Sequence, residues 1–110
     1  MNISIETHEK DHLTTVDISG EIDAYTAPKL REALFHLAEK KEPVIIINLS
    51  GVTYMDSTGL GVFVGVFKNV RSNNGQLRLL GLSNRLIRLF EITGLAKIMD
   101  ISSKIEGEVK

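Results

Sequence analysis

The chain has 110 residues, of which 43% are hydrophobic and 25% charged, and its formal net charge is -1. These proportions are typical of one globular domain and exclude a disordered chain, and the near-neutral charge gives no electrostatic reason to expect nucleic acid or an anionic membrane as partner. The absence of cysteine excludes disulfides, thiol nucleophiles and thiolate metal sites.

The first predicted elements are two strands and a helix. Ile3–Thr7 and Leu13–Ser19 show apolar/polar alternation around a short turn at EKD, which predicts a β-hairpin. In the helix that follows, Thr26 is the expected N-cap, Pro28 fits the first turn, and leucines recur at helical spacing. This helix is expected to end near Pro43.

The middle of the chain predicts a buried strand and a buried helix. Val44–Leu49 is a short, continuously apolar run, which is typical of a central strand covered on both faces by helices. The stretch SGVTYMDSTG is interpreted as a loop. Beyond it, two apolar stripes predict a helix that is buried on most of its circumference until Lys68 and stops at RSNNG; the stripes are Leu60, Phe63, Val64 and Phe67, and Val62, Val66 and Val70.

The last third of the chain predicts another strand, helix and strand. Gln76–Leu80 is a short strand, Ser83 or Asn84 can cap a helix that ends at Gly94, and Lys97–Ile101 is the expected last strand.

The order of these elements, ββαβαβαβ, predicts an α/β fold with a mixed, mainly parallel sheet and helices packed on it. We expect residues 1–103 to form one domain and 104–110 a polar tail. In such sheets the functional surface lies at the carboxyl ends of the strands. Asp23, after the second strand, and Ser57, after the third, share this edge if the two strands are neighbours.

The turn YMDSTGLG contains three capping residues in succession. Asp56, Ser57 and Thr58 can each accept a hydrogen bond from the first turn of a helix, but one cap needs only one oxygen. At least one hydroxyl is therefore available for another role. We interpret Thr58 as a helix residue that points inward.

Glycines at positions 59, 61 and 65 are unfavourable within this helix, so their presence needs an explanation. Each costs about 1 kcal/mol relative to alanine within a helix. Either the helix packs tightly against the sheet, or its start is an open surface that a second protein approaches closely.

Enzyme motifs are absent from the sequence. A nucleophile elbow needs Gly-x-Ser-x-Gly, but Met55 occupies the first glycine position, and no histidine has an evident route to Ser57. Asp56 follows a strand like the phosphoacceptor of a receiver domain, but the acidic pair and the lysine that such a domain needs are absent, and no P-loop is present.

His8 and His12 flank the first turn with no third ligand nearby, so we interpret both as solvated. We expect neither a metal nor a cofactor.

Three stretches, GEIDAYTAPKLREAL, YMDSTGLGVFVGVFK and NRLIRLFEITGL, occur in an order and at separations that resemble a known family. They resemble the STAS-domain anti-sigma factor antagonists of Gram-positive bacteria, most closely those controlling the general stress sigma factor, sigma-B. The resemblance covers residues 2 to 103 and implies a STAS fold. It maps the family's phosphorylated serine onto Ser57 and a nearby aspartate onto Asp23.

The resemblance also implies partners and a regulatory role. In this family the anti-sigma factor is a serine kinase that phosphorylates the antagonist, and a metal-dependent serine phosphatase removes the phosphate. Only the unphosphorylated antagonist binds the kinase and so releases the sigma factor. This implies a non-enzymatic, positive regulator of stress-response transcription, in which the partner-binding residues are Asp23, Asp56, Ser57, Thr58 and Gly59.

A phosphate on Ser57 would meet unpaired amides and a favourable dipole at the helix start, so we expect the fold to tolerate it.

Two alternative functions remain: the chain binds a small anionic ligand, such as a nucleotide, at the same helix terminus, or it is a scaffold subunit of a larger sensory complex. Arg85 and Arg88 are expected to be exposed on the third helix, where they either contact a partner or only solvate that face, and the second interpretation is the default. No signal peptide or membrane span is recognisable, so we expect a cytoplasmic location.

Overall fold

A computed structural model describes residues 2–104, which form one five-stranded sheet, three α-helices and a short 3₁₀-helix. The predicted order ββαβαβαβ is confirmed. The elements are β1 (Ile3–Lys10), β2 (Leu13–Ile22), α1 (Ala27–Ala38), β3 (Val44–Met55), α2 (Ser57–Ser72), β4 (Gln76–Leu80), α3 (Asn84–Ile92), a 3₁₀-helix (Leu95–Lys97) and β5 (Asp100–Ile101).

The strands lie in the sheet in the same order as in the chain, from β1 at one edge to β5 at the other. β1 and β2 are antiparallel, as the predicted hairpin requires, and each later strand runs parallel to the one before it. Both hairpin strands are longer than predicted. Their backbone pairing extends from Ile3 opposite Gly20 to Lys10 opposite Leu13, beyond the point where the apolar alternation stops.

The third strand is also longer than its apolar run. The interpretation of SGVTYMDSTG as a loop is wrong, because β3 reaches Met55 and only Asp56 separates it from α2. The cause is pairing with β2, which continues past two register shifts until Ile22 lies opposite Met55. Pairing between distant segments leaves no trace in the local residue pattern.

All three helices pack on one face of the sheet. Their buried side chains belong to a single hydrophobic core that includes Ile45, Ile47 and Leu49 of β3. Side chains alternate along a strand, so Ile46 and Asn48 face the opposite side, and neither belongs to this core. The prediction that helices cover β3 on both faces is therefore wrong.

Helix α1 begins as predicted after Thr26, with Pro28 in its first turn. It ends at Ala38 rather than near Pro43. At this end the side-chain amide of Asn73 donates a hydrogen bond to the Ala38 carbonyl oxygen (2.8 Å), so a residue distant in sequence satisfies the helix terminus.

Helix α2 ends within RSNNG, as predicted, but it is less completely covered than expected. Val64 and Phe67 are only half-buried, whereas the other members of the two predicted stripes are buried, namely Leu60, Val62, Phe63, Val66 and Val70. Within residues 2–104, no helix is long and apolar enough to cross a membrane.

The secondary structure predicted for the segment after β4 is confirmed only in part. Ser83 caps α3, since its Oγ accepts a hydrogen bond from an amide of the first turn (3.2 Å), and Gly94 follows the helix in the left-handed conformation (φ 81°). The predicted last strand is mostly wrong: Leu95–Lys97 forms a 3₁₀-helix, and only Asp100–Ile101 pairs with β4.

The boundary of the predicted polar tail at residue 104 stays a prediction, because residues 105–110 lie outside the described residues. The carbonyl oxygen of Lys104 accepts a hydrogen bond from the amide of Gly81 (3.0 Å). Lys104 is therefore attached to the folded domain.

Candidate functional site at the carboxyl edge of the sheet

β2 and β3 are neighbouring parallel strands that end at the same edge of the sheet. The amide of Asp56 donates to the carbonyl oxygen of Ile22 (3.3 Å), which ties the start of α2 to the end of β2. The expectation that the loop carrying Asp23 and the turn carrying Ser57 share one edge is confirmed.

Asp56 is the residue that caps α2. Its backbone is extended, and its Oδ1 accepts hydrogen bonds from the amides of Thr58 (3.0 Å) and Gly59 (3.4 Å). A carboxylate at this position also complements the positive end of the helix dipole. One side chain therefore provides the complete cap, and the cap does not explain the two hydroxyls that follow it.

Ser57 and Thr58 are both exposed. Across residues 2–104, neither hydroxyl makes a hydrogen bond within the chain. The interpretation of Thr58 as an inward-pointing residue is thus wrong, because the first turn of α2 faces solvent at this position. Both hydroxyls are accessible to another protein.

Two of the amides at the start of α2 are occupied. A phosphate on Ser57 was expected to meet unpaired amides; those of Thr58 and Gly59 are bound to Asp56, whereas the amide of Ser57 makes no hydrogen bond within residues 2–104. An anion attached to Ser57 would therefore add charge beside an existing carboxylate and extend from the surface of the molecule.

Removal of the Asp56 cap is expected to lower the stability of the fold. Asp56→Ala removes the acceptor of two helix amides, so we expect a loss of about 1 kcal/mol in the free energy of unfolding. Ser57→Ala, which removes an unbonded exposed hydroxyl, should change this free energy by less than about 0.5 kcal/mol. Urea denaturation of the two variants and the unsubstituted chain measures both. Equal losses would show that Asp56 is not the effective cap.

Asp23 lies at this edge but is buried. It is only 7% exposed, and its Oδ1 accepts hydrogen bonds from the amides of Tyr25 (2.9 Å) and Thr26 (3.0 Å). Its other carboxylate oxygen, Oδ2, is buried without a partner among the described residues. Asp23 therefore fixes the shape of the loop between β2 and α1 rather than presenting a charge to solvent.

Thr26 completes this loop instead of capping α1 with its side chain. Its Oγ1 donates to the carbonyl oxygen of Glu21 (2.7 Å) and accepts from the amide of Asp23 (2.9 Å), and it makes no cap hydrogen bond. These bonds hold the loop against the end of β2, beside the start of α2.

Two tyrosines at this edge were missed by sequence reasoning. Tyr25, in the Asp23 loop, is 86% exposed, and Tyr54, near the end of β3, is 45% exposed. The chain has only two tyrosines and no tryptophan, so both of its amphipathic aromatic side chains lie at the edge that carries Ser57. Exposed tyrosines are enriched at protein interfaces. The available signal was their position in sequence, two residues from Asp23 and from Asp56 respectively.

A groove of about 300 Å³ extends this edge between β3 and α3. Tyr54 lines one side, and Arg85, Arg88 and Ile92 line the other. Ile92 is 75% exposed, and in the part of the chain that the structure describes no acidic group lies within 4.0 Å of either arginine. The interpretation that the arginines only solvate α3 omitted this groove, because it is formed by segments distant in sequence.

Glycine is present at the three positions of α2 for different structural reasons. A Cβ on Gly59 would lie 2.6 Å from a side-chain carbon of Ile22, and one on Gly65 would lie 2.7 Å from the ring of Phe35, so both allow tight packing. A Cβ on Gly61 would meet nothing within 4 Å. Only Gly61, which is exposed, belongs to an open surface over the helix start.

The family model of the STAS domain matches residues 4–108, so this chain belongs to the STAS domain family. Within the family it is similar to proteins named anti-sigma-B factor antagonist. The one from Listeria monocytogenes is 56% identical over 111 residues, covering 99% of this chain and 96% of the relative. The one from Bacillus subtilis is 54% identical over the full length of both proteins.

Solved structures confirm the STAS fold. An anti-sigma factor antagonist from Mycobacterium paratuberculosis superposes with a TM-score of 0.85 and 26% identity, covering 96% of this chain and 89% of that one. The Bacillus cell fate determinant SpoIIAA in its phosphorylated form gives a TM-score of 0.75 at 21% identity, covering 96% and 95% of the two chains. The latter likeness shows the fold alone.

Proposed function

We propose that this chain is an anti-sigma factor antagonist whose unphosphorylated form binds an anti-sigma factor and thereby releases the sigma factor. The observation that supports this most directly is the exposed Ser57 hydroxyl, which makes no hydrogen bond within residues 2–104 because Asp56 provides the cap. The names of the Listeria and Bacillus relatives support the same role and favour sigma-B as the factor released.

Phosphorylation of Ser57 would block this association through charge and desolvation. The phosphate adds about -1.5 to -2 charges beside the Asp56 carboxylate. A partner would have to desolvate both groups to come close, which weakens the association. The folded state itself is expected to persist, because the Ser57 side chain is exposed.

The proposed binding surface combines the capping turn with the neighbouring loop and groove. Ser57 and Thr58 are exposed members, Asp56 and Asp23 maintain the shape of their segments, and Gly59 is buried beneath the turn. Exposed apolar and aromatic area is provided by Tyr25, Tyr54 and Ile92. Exposed tyrosines together with exposed arginines are typical of surfaces that bind a protein partner.

The proposed partners are an anti-sigma factor that is also a serine kinase and a phosphatase of the metal-dependent serine type. The role is regulatory rather than enzymatic, and it would put the chain in the cytoplasm, where transcription takes place. An anionic ligand at the start of α2 is less favoured, because Asp56 already occupies the amides of Thr58 and Gly59. The scaffold alternative is not favoured by any contact described here.

Mapping of the phosphate tests the assignment. The purified chain is incubated with ATP and the anti-sigma kinase from the same bacterium, and the modified residue is identified by mass spectrometry of peptides. We expect phosphate on Ser57 alone and none on a Ser57→Ala variant. Phosphate on Thr58 would overturn the choice of residue, and the absence of any modification would overturn the proposed control by a kinase.

A further inference from the structure

Three side chains that can bind a metal ion converge on the face of the sheet that the helices leave uncovered. Glu6 of β1 lies directly opposite Asp17 of β2, and His8 follows two residues after Glu6 on the same face. The His8 Nε2 atom is 3.9 Å from Asp17 Oδ2. One potential ligand atom from each of the three lies within 4.8 Å of the others. His8 is exposed, as expected, but the expectation that no further ligand lies near it is wrong.

The pairing of Glu6 with Asp17 is unfavourable unless a cation is present. Like charges directly opposite each other on two strands destabilise a sheet. In residues 2–104, no lysine or arginine nitrogen lies within 4.0 Å of either carboxylate. The neutral amide of Asn48 donates to Asp17 Oδ1 (3.1 Å), which orients that carboxylate and leaves Oδ2 facing His8.

We propose that Glu6, His8 and Asp17 form a binding site for a divalent cation of the zinc type. One imidazole with two carboxylates is a ligand set suited to zinc, with water in the remaining position. Bonds of about 2.0–2.2 Å require the three ligand atoms to move closer than they are now. All three side chains are exposed, so rotation of their torsions can bring this about.

This site is separate from the surface proposed to bind the anti-sigma factor. It lies on the opposite face of the sheet from the helices, and Asp17 precedes Ile22 by five residues, or about 17 Å of extended strand. Loss of zinc binding would therefore leave the assignment of Ser57 unaffected, and the reverse also holds.

Isothermal titration calorimetry tests the proposal. The untagged chain is treated with a chelator, freed of it, and titrated with zinc chloride. The matched variants are His8→Ala and His12→Ala, because His12 is an equally exposed histidine in the adjoining turn. We expect one zinc ion per chain, affinity reduced about tenfold or more in His8→Ala, and unchanged affinity in His12→Ala. No saturable binding at millimolar zinc, or equal affinities for His8→Ala and the unsubstituted chain, would overturn the site.

A second variant separates metal binding from a defect in folding. Glu6→Gln relieves the repulsion with Asp17, so without zinc its thermal midpoint should rise by about 2 °C. The same change removes a ligand, so zinc should raise its midpoint less than that of the unsubstituted chain. A zinc response equal to that of the unsubstituted chain would exclude Glu6 as a ligand and overturn the three-residue site.

Discussion

Ser57→Ala and Ser57→Asp are expected to differ by a few hundredfold in affinity for the anti-sigma factor. The alanine variant should bind constitutively, and the aspartate variant should bind poorly. The expected difference corresponds to about 3 to 4 kcal/mol. Its source is a carboxylate next to Asp56, in the part of the surface that the partner must desolvate. Both variants should fold, because the Ser57 hydroxyl makes no hydrogen bond within residues 2–104.

The matched control for this pair is Ser72→Asp. Ser72 is an exposed serine at the other end of α2, about 22 Å along the helix axis from Ser57, so it adds the same charge at a remote position. We expect it to bind like the unsubstituted chain in calorimetry with the purified anti-sigma factor. If Ser57→Ala and Ser57→Asp bound equally well, or if Ser72→Asp lost affinity as Ser57→Asp does, the proposed switch at Ser57 would be refuted.

Alanine in place of two neighbouring glycines of α2 is expected to change stability in opposite directions. A Cβ at residue 59 would lie 2.6 Å from Ile22 Cγ2 and 2.8 Å from Met55 Cγ, inside the packed junction of helix and sheet. Overpacking of this kind costs about 1–3 kcal/mol, and the helix propensity of alanine offsets up to about 1 kcal/mol of it, so Gly59→Ala should lose up to about 2 kcal/mol. At residue 61 a Cβ meets nothing within 4 Å, and Gly61→Ala should gain about 0.5–1 kcal/mol.

Urea denaturation of both variants provides the measurement, and each variant serves as the control for the other. Changes of the same sign would show that the contacts of Gly59 do not limit the packing. The binding assay adds a further readout: if a partner approaches the exposed backbone at Gly61, then Gly61→Ala should bind more weakly despite its greater stability.

Local signals in the sequence were sufficient to predict the order of the elements and the position of Ser57. The apolar run from Val44, the capping residues at 56–58 and the apolar stripes of α2 are each contained within one element. They depend on side-chain periodicity and on caps, which act over a few residues. The family resemblance also rested on short stretches, one of which contains the capping residues and most of α2.

Features that depend on contacts between distant segments were not predicted. The extension of β3 to Met55 requires pairing with β2, and the groove beside Arg88 requires α3 to lie next to the end of β3. The identity of the cap was also open, because three residues in succession had suitable side chains and only the backbone conformation selects Asp56. The burial of Asp23 follows from hydrogen bonds within a loop whose shape no periodicity describes.

The identical order of strands in the chain and in the sheet affects how the domain can assemble as it is synthesised. The β1–β2 hairpin needs no later segment, and each following strand pairs with an edge that already exists. No strand must wait to be inserted between two others, which keeps the sequence separation of paired strands short and favours rapid folding. Asp56 and Ser57 lie where β2, β3 and α2 meet, so every segment that forms the turn carrying them is synthesised before β4, α3 and β5.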